Sequence, residues 1–305
     1  MDEATLDQLS AKFAQKLEGE HVFRGVLHHS VMLTEGTEEQ KKFDSLQMSA
    51  NDCIVATYPK SGTTWMQEIV WLIYNGVDIE KAKQSPLDER CPFMEIAPKI
   101  DFITDMQSPK LLKTHLLHLG LPTSFLNKSN DSRPRIVYVA RNPKDVAVSF
   151  YHFYRSNKSL GNFNRGWNEF FEMFISGYVV FGDWFSHVIT WYETAKKDST
   201  ILFIKYEDMK RNSLEEISKI AKFLGKDIST EMLETLYDHT KFESMKKNPM
   251  VTFAKNPSID SSISPFLRKG EIGDWKNYFT VAQNERFMDI YNEKMKDTDL
   301  SFQFE

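Results

Sequence analysis

The sequence predicts an α/β fold, a central parallel sheet flanked by helices, and two patterns lead there. Three short apolar runs, 53–58, 136–140 and 201–204, are rich in β-branched and aromatic residues, as strands buried on both faces are. Each run is followed by a polar loop and then a helical pattern, at 64–74, 145–154 and 214–224. Repeated strand–loop–helix units build parallel sheets, because the helix carries the chain back to start the next strand in the same direction. Ligands of such sheets gather at the carboxyl ends of the strands. Chemistry is therefore expected just after Tyr58, after Ala140 and near Tyr206.

The bulk properties fit that reading. The chain has 305 residues, 41% hydrophobic and 27% charged, which is ordinary for a folded protein and too apolar for disorder. Leu6, Leu9, Phe13 and Leu17 recur at helical spacing, so residues 1–20 read as a helical N-terminal extension laid on the core. Residues 21–305 show no repeat, low-complexity tract or Pro/Gly-rich linker and read as one domain. A net charge of −5 argues against nucleic acid as a partner, so any anion site must be local. No run approaches the roughly 20 apolar residues that span a bilayer. The acidic start Met1-Asp2-Glu3 lacks the pattern of a signal peptide. Cys53 and Cys91 are too few for a disulfide framework or a zinc cluster. A cytoplasmic protein without membrane partner or metal is expected.

The sharpest motif, Tyr58-Pro59-Lys60-Ser61-Gly62-Thr63-Thr64-Trp65, joins the first strand to its helix. Gly62 permits a tight turn, and the small hydroxyl residues leave backbone N–H groups facing inward. With the positive end of the following helix, these donors make a site for a phosphate-like anion, and Lys60 adds a full charge. The segment is not the usual G-x-x-x-x-G-K-[ST] loop, since it has one glycine and its lysine comes first. An ordinary polar turn is the alternative.

Arg141-Asn142-Pro143-Lys144-Asp145 follows the second strand in the same way. Arg141 is placed for a forked phosphate contact and Ser149, about one helical turn beyond Asp145, for a hydroxyl contact. A solvated Arg/Lys pair at a helix start is the alternative. Pro265-Phe266-Leu267-Arg268-Lys269-Gly270 brings two more cations within the irregular stretch 246–273, and loops that long are more often functional than idle. Three basic loops in a mildly acidic chain suit two separated anionic groups. Lys113-Thr114-His115 ends the apolar-flanked segment 111–116. On a strand, Lys113 and His115 share a face, which suits a base beside a charge stabiliser, although a lone histidine is more often structural.

These four segments, in this order and spacing, resemble the cytosolic sulfotransferases, with the phenol-type branch most similar. Lys276-Asn277-Tyr278-Phe279-Thr280-Val281-Ala282-Gln283-Asn284-Glu285 also matches that family's dimer motif, K-x-x-x-T-V-x-x-x-E. The likeness runs from about residue 20 to the C-terminus.

The resemblance implies a P-loop-like sulfotransferase fold that binds PAPS (3′-phosphoadenosine 5′-phosphosulfate) and releases PAP (3′-phosphoadenosine 5′-phosphate). It implies that Lys60, Ser61, Gly62, Thr63 and Thr64 cradle the 5′-phosphosulfate while Trp65 stacks on adenine. Arg141, Ser149, Arg268, Lys269 and Gly270 would hold the 3′-phosphate. Tyr206 and Thr240 would contact the adenine side, and Phe242 would be the second stacking face. His115 becomes the general base, with Lys113 and Lys60 stabilising charge. Pro59, Phe93, Phe153 and Phe253, with Lys113 and His115, would border a phenolic acceptor, although each phenylalanine alone fits a core equally well. A homodimer would form through Lys276, Thr280, Val281 and Glu285; a helix start packed within the chain is the alternative. Departures from the family pattern are a shorter loop between Phe253 and Ser264, a short insertion at 128–133, and Lys241 in place of a small polar residue. Two other functions are weighed: a non-catalytic PAPS/PAP-binding relative, and an ATP-dependent P-loop kinase.

Overall fold

The computed structural model describes residues 2–13, 17, 19–127, 129–161, 163–253 and 256–305. Part of the N-terminal extension, 14–16 and 18, and Lys128 of the insertion lie outside the described residues.

Helix α1, Glu3–Phe13, buries Leu6 and Phe13. Leu17 is also buried but falls beyond the helix. Strands β1, His21–Phe23, and β2, Val26–His28, then form an antiparallel hairpin that the sequence reading did not foresee. Its two turn residues, Arg24 and Gly25, both have positive φ, 49° and 81°, the geometry whose twist suits a two-residue hairpin.

The main sheet holds β3, Cys53–Thr57, β4, Leu111–Thr114, β5, Arg135–Ala140, and β6, Ile201–Lys205, all parallel in the order β4-β3-β5-β6. The side-chain period of two sends alternate residues to two apolar layers. Ile54, Ala56, Ile136, Tyr138 and Ala140 join one layer; Cys53, Val55, Val137 and Val139 join the other. The first layer is closed by α3, Pro143–Ser156, and α4, Trp184–Ala195. The second is closed by α2, Thr63–Tyr74, α5, Ser213–Phe223, and α6, Thr230–Thr240. This is the expected α/β architecture with one correction: β6 is an edge strand, and Leu202 and Phe203 are only half-buried.

In this order the connection leaving the carboxyl end of β3 leads to β4 on one side, and that leaving its neighbour β5 leads to β6 on the other. That divergence opens a crevice at the strand ends. The residues following β3, β4 and β5 (Lys60, His115 and Arg141) all reach it.

Candidate active site

A cavity of about 500 Å³ occupies this crevice. The segment after β3 carries the chain through Lys60, at φ 69°, and Gly62, at φ 103°, into α2. A Cβ on Gly62 would sit 2.8 Å from the Tyr206 ring, so only glycine fits both the space and the φ. Gly62 supplies no capping side chain. The first intrahelical bond runs from Met66 N–H to the Gly62 carbonyl, 3.0 Å, leaving the N–H groups of Thr63, Thr64 and Trp65 as unpaired helix-start donors. The Ser61 N–H is used within the turn, donating to Tyr58 O at 3.3 Å, and Ser61 does not line the cavity.

Lys60, Lys113, Arg141 and Arg268 are among the cations that line the cavity. The Lys60 ammonium lies over the rings of Phe153, 4.3 Å, and Phe266, 4.4 Å; that of Lys113 lies over Phe93, 4.3 Å. Burial first, and then the charges of Lys113, Arg141 and Arg268, push the Lys60 ammonium down to about 7. Burial lowers Lys113 to about 8. Arg141 donates to the carbonyls of Glu271, 2.7 Å, and Lys60, 3.4 Å, with its guanidinium carbon 4.4 Å over Tyr206. Its Nε is buried without a partner, as are Nε of Arg268 and Nε1 of Trp65. Positive charge gathered against its own repulsion, with buried donors unspent, is a site prepared for an anion.

The irregular stretch before α7, Val281–Met295, closes one side. Asp274 holds the side chains of both Arg268 and Lys269 and accepts from Asn277 Nδ2 at 2.8 Å. Burial pulls its carboxyl up, but these hydrogen bonds outweigh that and hold it at about 2. Asp145, at the start of α3, accepts from the backbone N–H of Gly273, 2.8 Å, and Trp275, 3.0 Å, and so ties this loop to the Arg141 segment. A Cβ on Gly270 would lie 2.3 Å from the Phe242 ring, so the aromatic plane rests directly on the backbone. The Tyr206 hydroxyl donates to Gly270 O, 3.0 Å. Thr240 lines the cavity, but its hydroxyl donates to Leu236 O within α6, 2.8 Å. Ser149 and Lys269 line the same space.

His115 follows β4. Its Nδ1 is 2.8 Å from Thr57 O and 3.1 Å from Thr57 Oγ1. A carbonyl only accepts, so Nδ1 carries the proton and the lone pair is left on Nε2, the nitrogen turned to the cavity. Burial, reinforced by Lys113, holds this imidazole well below its ordinary range, so it is neutral near pH 7. The His115 N–H and the Thr114 hydroxyl both donate to Glu95 Oε1, 2.6 and 2.7 Å, while His187 Nε2 donates to His115 O, 2.9 Å. Phe93 and Phe181 flank the ring, with centroids at 5.0 and 5.2 Å. Pro59, Phe93, Phe153 and Phe253 all border the cavity, and Phe93 and Phe153 pack against the core as well.

Sequence reasoning thus named residues from the loops after β3, β4 and β5 and from the stretch 246–273, but not the 29–32 turn or Phe181, and it gave no role to Thr57, Glu95, Phe266 or Asp274. Phe266 lay within a quoted motif, Thr57 directly before one, and Asp274 six positions after Arg268.

Residues 50–299 match the family model described as the sulfotransferase domain. Sulfotransferase 1C2 of Rattus norvegicus is 45% identical over 268 residues, 86% of this chain and 88% of the relative. Sulfotransferase 1B1 of Canis lupus familiaris is 46% identical over 263 residues, 84% and 87% of the two chains. Among solved structures, mouse sulfotransferase SULT7A1 complexed with PAP superposes with a TM-score of 0.73 at 33% identity, covering 92% of this chain and 95% of that one. Retinol dehydratase in complex with androsterone and PAP gives a TM-score of 0.83 at 25% identity, covering 98% and 96%. The strand order, the cation-lined crevice and these similarities along most of its length agree: the chain belongs to the sulfotransferase domain family.

Proposed function

We propose that the chain transfers the sulfuryl group of PAPS to the hydroxyl of a small, flat, phenolic acceptor, with His115 as general base. The observation that carries this reading is the pinning of His115 Nδ1 by Thr57 O, which leaves a neutral Nε2 facing a cavity that also holds Lys60 and Lys113.

The residues present fit the nucleotide. The helix-start N–H groups of Thr63 and Thr64, with Lys60, suit the 5′-phosphosulfate, and Ser61 and Gly62 shape the turn that presents them. Arg141, Ser149, Arg268, Lys269 and the Gly270 backbone suit the 3′-phosphate, whose two negative charges would answer the unspent guanidinium donors. Trp65 and Phe242 offer planes for the purine, with Tyr206 and Thr240 beside them. PAPS supplies an activated sulfuryl group whose bond to the 5′-phosphate breaks as the acceptor oxygen bonds to sulfur. His115 Nε2 takes the hydroxyl proton as that oxygen attacks. Lys60 and Lys113 stabilise charge on the sulfuryl and leaving-phosphate oxygens from fixed positions in the cavity. Phe93, Phe153, Phe181 and Phe253 supply the apolar walls that favour an aromatic acceptor, with Pro59 at its edge.

A homodimer through Lys276, Thr280, Val281 and Glu285 forms part of the proposal. Its support is Val281, 76% exposed at the start of α7, with Thr280 and Glu285 exposed beside it. A cytoplasmic setting rests on two free, buried cysteines. No described helix is long and apolar enough to cross a membrane.

The test is incubation with PAPS and 1-naphthol. Equal amounts of naphthyl sulfate and PAP are expected. PAP binding without ester formation from any phenol would leave a non-catalytic relative.

A further inference from the structure

The acceptor side of the cavity holds a polar group that the transfer chemistry does not use. Beyond β2 the chain turns through residues 29–32, closed by Met32 N–H donating to His29 O, 2.9 Å. Leu33 N–H donates to Glu95 O, 2.9 Å, and Ala97 N–H to Val31 O, 3.1 Å. Met94 N–H donates in turn to Lys113 O, 3.0 Å. His29, Lys113 and His115 therefore stand on one continuous hydrogen-bonded wall, and all three line the cavity.

Val31 and Met32, which follow His29 closely in the chain, line the cavity with it, and so do Phe93, Ile96 and Phe181. His29 is 6% exposed, and its Nδ1 is buried with no partner. Buried polar atoms in native proteins are nearly always paired, and the ring that carries this one borders the cavity, where a ligand group can supply a partner. The other charged groups there are accounted for. Asp88 and Lys99 pair with each other at 3.1 Å, and Lys113 and His115 serve the transfer. Burial pushes the His29 imidazole down to about 4, so it is neutral, with one nitrogen donating and the other accepting. A neutral ring among apolar side chains matches an uncharged hydroxyl or carbonyl and does nothing to offset a carboxylate's charge.

We infer that His29 is a specificity-determining residue, selecting acceptors that bear an uncharged hydroxyl or carbonyl in addition to the hydroxyl that reacts. This rests on reading the cavity as the acceptor site. A site built to hydrogen-bond a ligand group discriminates against the analogue that lacks it.

The test is calorimetric binding to the PAP-saturated protein of 2-naphthols carrying an acetyl group at position 5, 6 or 7, each against its ethyl counterpart. In the wild-type protein at least one acetyl compound should bind roughly tenfold tighter than its ethyl partner. His29→Leu should bring that ratio to about one or reverse it, and His29→Gln should keep part of it. No preference in any wild-type pair, no binding of either compound, or the same preference in His29→Leu would overturn the inference. The wild-type comparison stands even if the leucine variant fails to fold. Selective binding without transfer from PAPS would count against the proposed reaction and leave the role of His29 standing.

Discussion

His115 Nδ1 lies 2.8 Å from the carbonyl oxygen of Thr57, the last residue of β3. The pairing of β3 with β4 sets this contact, with Ala56 opposite Thr114 in parallel register. The segment that continues β3 is the anion loop, so one strand pair fixes both the base and the cradle for the group it acts upon. The base is thereby preorganised rather than assembled on binding.

Replacing His115 by alanine should lower transfer by roughly 10²- to 10⁴-fold, the usual worth of general base catalysis, while PAP affinity changes little. Steady-state rates with PAPS and a phenol, beside calorimetry with PAP, read the two effects separately. Undiminished transfer would remove His115 as the base.

Lys60 sits at about 7 in the ligand-free protein, because it is buried among other cations. A bound anion favours the ammonium and raises that value, so the complex holds a proton that the free protein has largely lost above pH 7. PAP affinity should therefore be greatest near and below pH 7, as far as this group is concerned, and fall as pH rises beyond it. Calorimetry at pH 8 in buffers of different ionisation enthalpy should show net proton uptake. Lys60→Arg, which stays charged throughout, should reduce that uptake; unchanged uptake would locate the proton elsewhere.

Arg268 keeps an unpartnered Nε although Asp274 holds its other end. Arg268→Ala should weaken PAP binding by roughly ten- to a hundredfold, the loss of a charge-assisted hydrogen bond, and AMP binding far less. Equal losses for the two nucleotides would place the 3′-phosphate away from this loop.

Val281 presents an apolar side chain at 76% exposure. If it meets a second copy, Val281→Glu should convert a dimer to a folded monomer in sedimentation experiments without lowering the melting temperature appreciably. A monomeric wild-type protein at tens of micromolar would contradict the proposed homodimer.

The parts of this molecule that are contiguous in sequence were legible there. β3 and β5 read as buried strands because their apolar runs are unbroken, and the loops after them carry their cations in adjacent positions. The β1–β2 hairpin was not legible, since each strand is three residues long and Arg24 stands in place of the usual turn residues. Arg24 is held at its positive φ from far along the chain, donating to the carbonyls of Gly120 and Leu121, both at 2.8 Å, and to Asp44. Glu95 and Thr57 were likewise silent, because their contacts with His115 exist only once folding brings them together. The two alternatives left open for Phe93, Phe153 and Phe253 needed the cavity itself, since a phenylalanine at a wall and one in a core look the same in sequence.

The most direct measurement is calorimetric titration of the protein with PAP, AMP and ATP, without added metal. Binding of PAP at least about a hundredfold tighter than AMP or ATP is expected, since only PAP engages both anion sites and each charge-assisted contact is worth about 1.5–3 kcal/mol. Equal affinity for PAP and AMP, or preference for ATP, would contradict the assignment of the two basic loops and with it the proposed reaction.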